Sequence, residues 1–438
     1  MTNQPGPSGA ALCGKLRLLV FAPALLFALI IITTRSAQAQ TLTVLHTFTG
    51  GWDGASPFAG LTMDQAGNFY GTTAGGGFGG DGTVFKLSNK GSSWILTTLH
   101  TFAGPSDGDL SYAGLVFGPD GSLYGTTIFG GQPECSGGQL PGCGTVFSVK
   151  LPATPCPNAL CPGTETVLYR FTGGSDGANP GLGALIFDQA GNLYGTTSNN
   201  GYPNTCDGIC GGTVFKLSPS GSGWTKSILY SFTGGSDGNA PYAGLTFDQA
   251  GNLYGTTVSG GLYGKGVVFE LSPSGSGWTE SVLYSFTGGN DGAGPFSGLI
   301  FDPSGNLYGA TSYAGENNAG TVFQLTPSNG SWSLETLYSL SEGTGPYSNL
   351  VMDQAGNLYG ATLEGGPFQG GTVFELSKSG GGWAYTLLYA FCVDPSCNQG
   401  GSFPGGSPIF DTHGNLYGTT FNNGSLGADA GAVWELTP

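Results

Sequence analysis

The chain has 438 residues, of which 84 are glycine and only 9% are charged, with a formal net charge of −16. So acidic a chain offers no positive patch to displace counterions, which excludes nucleic acid and anionic lipid as natural partners. Glycine at this level can signal disorder, but here it alternates with regular Val, Leu, Phe and Tyr and reads as turns between short strands.

In chain order, Lys15 and Arg17 precede an apolar run from Leu18 to Ile32, and Ala37-Gln38-Ala39 follows. The pattern predicts a secretory signal peptide over residues 1–39, cut after Ala39. A run of 15 residues is short for a bilayer span, which needs roughly 20. Cleavage removes three of the eleven basic residues and no acid, leaving eight against 27 and a net charge of −19. The expected product is soluble, monomeric, and extracellular or periplasmic.

Residues 40–438 are expected to form one domain of seven repeats. Each contains a form of Gly-Asn-Leu-Tyr-Gly-Thr-Thr, centred on Tyr70, Tyr124, Tyr194, Tyr254, Tyr308, Tyr359 and Tyr417. Self-similarity at such a period marks a repeat architecture. The unit at 242–286 shows four apolar segments: 242–248, 253–257, 267–271 and 278–286. Each is rich in β-branched or aromatic residues and bounded by turn chemistry, as strands are. Between the first two, Gln-Ala-Gly-Asn makes a tight turn in which Gly251 supplies a positive φ.

Four hairpin-linked strands make a small sheet that is apolar on both faces, and seven such sheets stacked radially would bury both. The seventh unit ends after its third strand, while Leu42–Phe48 matches the fourth-strand segment Leu96–Phe102 in type. The N-terminal strand is therefore expected to complete the last sheet. The predicted fold is an all-β, seven-bladed β-propeller with four antiparallel strands per blade. A parallel β-helix, the rival repeat fold, would not need three hairpin turns per unit.

The units resemble the GloVer (Gloeo/Verruco) tandem-repeat extracellular family through Leu-Tyr-Gly-Thr-Thr, Gly-Thr-Val-Phe-x-Leu and Leu-Tyr-x-Phe-Thr-Gly-Gly. The resemblance covers nearly all of residues 41–438. It implies a bacterial surface protein but assigns no residue a biochemical role. Unlike the anchored members, this chain is expected to have no C-terminal sorting tail.

Eight cysteines follow the signal segment, in close pairs: Cys135 with Cys143, Cys156 with Cys161, Cys206 with Cys210, and Cys392 with Cys397. None has the spacing of a zinc site, so local disulfides that pin loops are expected. His46 and His100 stand where other units carry tyrosine and read as packing residues, and His413 sits in a turn. Arg170 is the one arginine after the signal segment. A sialidase, which clamps its substrate carboxylate with several arginines, is therefore excluded.

Two carboxylate sets remain. Asp64, Asp188, Asp248, Asp302, Asp353 and Asp411 end the first strand, with Gly118 in that place in the second unit, and are expected to bond their own turns. Asp53, Asp107, Asp176, Asp237 and Asp291 each precede a glycine in the linker between blades. Together with Trp52 they are the expected ligand-binding residues, on the rim that also carries the loops between second and third strands. No catalytic residue and no resident cofactor are expected, with Ca²⁺ the one ion these Asp residues suit. The expected function is a non-enzymatic scaffold for an extracellular protein or carbohydrate. The rival is a polysaccharide-acting enzyme with carboxylates as acid and base.

Overall fold

The computed structural model describes residues 40–438 apart from 92, 133–134, 136–141, 153–161, 200–210, 342, 344, 393–400, 423–429 and 438. The expected signal peptide lies outside the described residues. Seven antiparallel sheets follow one another, and the fourth blade is representative: Thr246–Phe247, Leu253–Thr257, Val267–Ser274 and Gly277–Ser285, hydrogen-bonded in that order. In the seventh, Thr41–Thr47 pairs antiparallel with Ala432–Thr437, so the N-terminal strand completes the last blade. The fold is the all-β, seven-bladed propeller that the repeats predict.

Two details differ from the sequence reading. The innermost strands are only two residues long, for example Thr246–Phe247 rather than 242–248. The segment before them lies where neighbouring blades converge, and there backbone meets backbone. A Cβ on Gly183 would stand 1.7 Å from the Gly244 nitrogen, and one on Gly60 would stand 2.8 Å from the Ser407 carbonyl oxygen. The third blade also gains a fifth strand, Ala178–Pro180, where its linker pairs with the extended second strand Leu193–Asn199.

The core lies between blades rather than within them. Seven apolar clusters each join residues of two successive blades, including one that joins Phe48, Tyr417 and Val433 to Leu61, Phe69 and Phe85 across the closure. This is why the sheets can be apolar on both faces.

Every residue of the repeated Leu-Tyr-Gly-Thr-Thr strand has a task, and the fourth blade shows them. Leu253 packs toward the third blade and Tyr254 toward the fifth, where its ring meets Phe301 edge-on at 5.1 Å. Gly255 pairs across the strands with Phe269, whose ring lies over it; a Cβ there would be 2.6 Å from Phe269 Cζ. Phe269 in turn meets Phe232 of the preceding blade edge-on, 5.0 Å between centroids. Pairs of this kind contribute about 0.5–1.5 kcal/mol beyond area burial, and similar ring pairs recur at Phe48–Phe85, Phe102–Phe147, Phe171–Phe215 and Phe286–Phe323. Thr256 Oγ1 donates to the Ser297 carbonyl of the next blade at 2.9 Å, and Thr419 does the same to Ala59 across the closure. Thr257 Oγ1 ends the strand by donating to the Ser259 carbonyl.

Two predictions test this account. Gly255→Ala overpacks against a buried ring and should cost about 1–3 kcal/mol. Gly277→Ala, whose Cβ meets nothing closer than 4.0 Å, should stay within about 0.5 kcal/mol; chemical denaturation midpoints compare the two. Deleting 41–47 should open the last blade's edge and lower both thermal midpoint and solubility. Removing seven residues from the sequence insertion at 153–159 should change neither appreciably, and equal effects would contradict closure by strand pairing.

Candidate functional site

Each linker runs from the outermost strand of one blade to the innermost strand of the next. Short bridges tie it to the loop that follows the second strand: Ala55 with Gly75, Asp109 with Phe129, Asn239 with Ser259, Ala293 with Tyr313, and Ser402 with Asn422. Linkers and second-to-third-strand loops thus share one rim, as strand alternation requires.

On that rim the five linker aspartates are engaged by their own loops. Asp237 Oδ2 accepts from the Thr233 N–H at 2.7 Å and the Tyr230 hydroxyl at 3.1 Å, and Oδ1 accepts from Thr233 Oγ1 at 2.6 Å. Asp291 repeats this arrangement with Thr287 and Tyr284. Asp176 accepts from Tyr169, Thr172 and Lys226. Burial pushes its carboxyl up, but the Lys226 ammonium and the hydrogen bonds outweigh this and hold it below the usual range. In the first two linkers a histidine replaces the tyrosine: His46 Nε2 lies 3.2 Å from Asp53 Oδ2, and His100 Nε2 lies 3.0 Å from Asp107 Oδ2. Both imidazoles also pack edge-on against Phe48 and Phe102. These aspartates set the shape of the rim.

The opposite rim carries the other carboxylates. Asp248 Oδ1 accepts from the Ala250 and Asn252 N–H groups, and Oδ2 from Asn252 Nδ2 and the Tyr254 hydroxyl. Asp64, Asp188, Asp302, Asp353 and Asp411 do likewise, so both oxygens of each are spent on the turn. In the second blade, where Gly118 takes the place, Asp120 supplies the carboxylate two residues later and bonds Ser122. His413 lies exposed in the corresponding turn of the seventh blade.

Large exposed aromatics sort by rim. Trp52 is 57% exposed in the first linker, and Phe78 (81%), Tyr263 (54%), Tyr313 and Phe368 stand on second-to-third-strand loops. Trp52 packs against Phe78, 5.4 Å between centroids. Among the described residues, every exposed large aromatic lies on the linker rim. At the centre of that rim, residues just before the innermost strands form a collar: Phe58, Tyr112, Leu182, Tyr242, Phe296 and Tyr347, all half-buried. Phe296 stacks on Tyr347 at 4.5 Å, Phe58 meets Tyr112 edge-on at 5.4 Å, and Tyr313 shares a hydroxyl–hydroxyl bond with Tyr347. Phe58, Tyr112, Phe296 and Tyr347 line a cavity of about 200 Å³ that continues down to Gly60, Gly114 and Ser407. Pockets for drug-sized molecules run to about 300–1,000 Å³, so this one takes no more than one ring or a terminal group.

Sequence reasoning singled out Trp52 and the aspartates but missed the collar. Its signal was available in Pro57-Phe58-Ala59-Gly60-Leu61, Pro241-Tyr242-Ala243-Gly244-Leu245 and Pro295-Phe296-Ser297-Gly298-Leu299. Of the expected disulfides, Cys135–Cys143 is formed and Cys392 is disulfide-bonded. Cys156, Cys161, Cys206, Cys210 and Cys397 lie outside the described residues. No helix among the described residues is long and apolar enough to cross a membrane.

Comparison with known proteins adds the fold's relatives. The extracellular domain of a Bacteroides thetaiotaomicron protein classed as a hybrid two-component system superposes with a TM-score of 0.53 at 11% identity. The match covers 90% of this chain and 39% of that one. A further structure, titled a one-component system of the same organism, gives 0.50 at 11% identity, over 89% and 40%. A Xanthomonas campestris gluconolactonase gives 0.42 at 14% identity, over 80% and 94%. At these identities the likeness is one of fold. No curated protein matches by sequence. The Gloeobacter/Verrucomicrobia repeat family matches twice in tandem, over residues 31–208 and 207–434, and the chain belongs to that family.

Proposed function

We propose that this is an exported, non-enzymatic binding propeller that takes an extracellular glycan on its linker rim. The observation that carries the reading is the gathering of exposed aromatics, with the collared cavity at their centre, on one face. Monomeric proteins seldom expose such surface without a partner for it. Tyr and Trp suit a partner that is part apolar and part polar, and a sugar ring presents both a C–H face and hydroxyl edges. The acidity of the chain disfavours polyanionic glycans, which leaves neutral or amino sugars. The linker aspartates act here as posts that hold the rim's shape, with Asp53, Asp107, Asp176, Asp237 and Asp291 at its edge. In the two-component protein the same fold serves outside the cell, which accords with this reading.

One observation favours the enzymatic alternative. Asp109 is buried near Asp81, and burial followed by the Asp81 charge pushes its carboxyl up to about 6. Two neighbouring carboxyls, one of them held well above the usual carboxylate range, are the arrangement from which acid–base pairs are built.

A glycan array followed by calorimetry on neutral oligosaccharides tests both. Phe296→Ala with Tyr347→Ala should weaken binding by about tenfold or more, as loss of stacked aromatic contacts does. Substitutions in the opposite turns, such as Gln249→Ala, should leave it unchanged. Undiminished binding in the collar variant would refute the face assignment. Consumption of the bound glycan, abolished by Asp109→Asn, would establish the enzyme instead.

A further inference from the structure

One seat recurs from blade boundary to blade boundary and changes its occupant. It is filled from the next blade's outermost strand and, at the five boundaries whose linker carries Asp53, Asp107, Asp176, Asp237 or Asp291, faces that Asp and its Tyr or His. The filling residue pairs with the last apolar residue of the third strand. Register identifies it as Leu96 opposite Leu87, Glu165 opposite Val149, Lys226 opposite Leu217, Glu280 opposite Leu271, Leu334 opposite Leu325 and Tyr385 opposite Leu376. Between the second and third blades the seat holds a built-in cation. Lys226 Nζ bonds the Asp176 carboxylate at 2.8 Å, lies over the Tyr169 ring at 5.0 Å, and is almost wholly buried.

Between the first and second blades the same seat holds Glu165, facing Asp107 and His100. One donor atom of each lies within 4.8 Å of the others. Glu165 Oε1 is buried with no hydrogen-bond partner, and a buried carboxylate oxygen left so is costly. The nearest guanidinium, Arg170, donates to the Ser106 carbonyl at 2.9 Å. Among the described residues no ion pair joins it to Glu165. Asp81 and Asp109 add negative charge around the same linker.

We propose that His100, Asp107 and Glu165 bind one divalent transition-metal ion, with zinc the best-matched. The ion takes the position that Lys226 Nζ fills one blade further on. One imidazole and two carboxylates form a donor set that zinc accepts, with Zn–N about 2.0–2.1 Å and Zn–O about 2.0–2.2 Å. Tetrahedral donors at those lengths stand about 3.3 Å apart. The 3.0 Å between His100 Nε2 and Asp107 Oδ2 approaches this, and a Glu165 carboxylate oxygen lies within 4.8 Å of both. Coordination through Nε2 requires the neutral ring with its proton on Nδ1. The other blade boundaries lack one or more of the three donors: Leu96 faces His46 and Asp53, and Glu280 faces Tyr230 and Asp237.

The internal repeats supply variants that suit the fold. His100→Tyr installs the residue found at this place in other blades, and Glu165→Lys recreates the Lys226 seat. Zinc titration of the EDTA-stripped chain by calorimetry should show one ion per chain, with a cobalt-substituted form giving visible d–d absorption. Either variant should weaken binding by about tenfold or more while keeping the native circular dichroism spectrum. His46→Tyr and His413→Ala should bind as the parent does. Absence of stoichiometric zinc binding would overturn the proposal, as would affinity unchanged in His100→Tyr or lost equally in His413→Ala.

Discussion

A phenylalanine ring lying over a glycine is the contact on which this propeller depends. In the fourth blade it is Phe269 over Gly255, and the seventh substitutes Trp434 over Gly418. The missing side chain lets a large ring lie flat on its own sheet, while its edge meets the ring that ends the preceding blade's outermost strand. Blade spacing follows from the thickness of that pair. The threonine that reaches the next blade's carbonyl then fixes the relative height of neighbouring sheets. A short motif therefore specifies strand and interface together, which is how the chain can repeat it with little else held constant.

The two rims answer to different constraints. On one, an Asp, an Asn and a Tyr hydroxyl lock a four-residue turn the same way in blade after blade, and there is little room for variation. On the other, linker and loop are joined by a single bridge and a linker aspartate, so lengths and exposed side chains are free to differ. Rigid scaffold with variable loops on one face is the usual setting for recognition.

Much of this was legible in the sequence because the interactions are local. Asp248, Asn252 and Tyr254 lie within six residues, and the strand census exposed the missing fourth strand of the last blade. What escaped notice depends on distance along the chain. The collar gathers residues from six blades, and neither Phe296 nor Tyr347 announces its partner 51 residues away. His100 reads as a tyrosine substitute until Glu165 is brought across the blade boundary. The replacement of the second blade's turn Asp by Asp120 was hidden by a two-residue shift. Short innermost strands were obscured because residues packed at the axis have strand-like composition without strand pairing.

The pairing of Thr41–Thr47 with Ala432–Thr437 also orders events in time. Thr437 Oγ1 donates to the Thr41 carbonyl across 396 residues, so the earliest strand of the ring to be synthesised has no sheet to join until the last has been made. Until then its amides are an exposed edge, and the sixth and first blades each present an uncovered apolar face. Local hairpins can form one by one, but the final seating is a loop closure over nearly the whole domain and carries its entropic cost. The chain meets that cost once, at the last step, when every other blade is already in place to receive the strand.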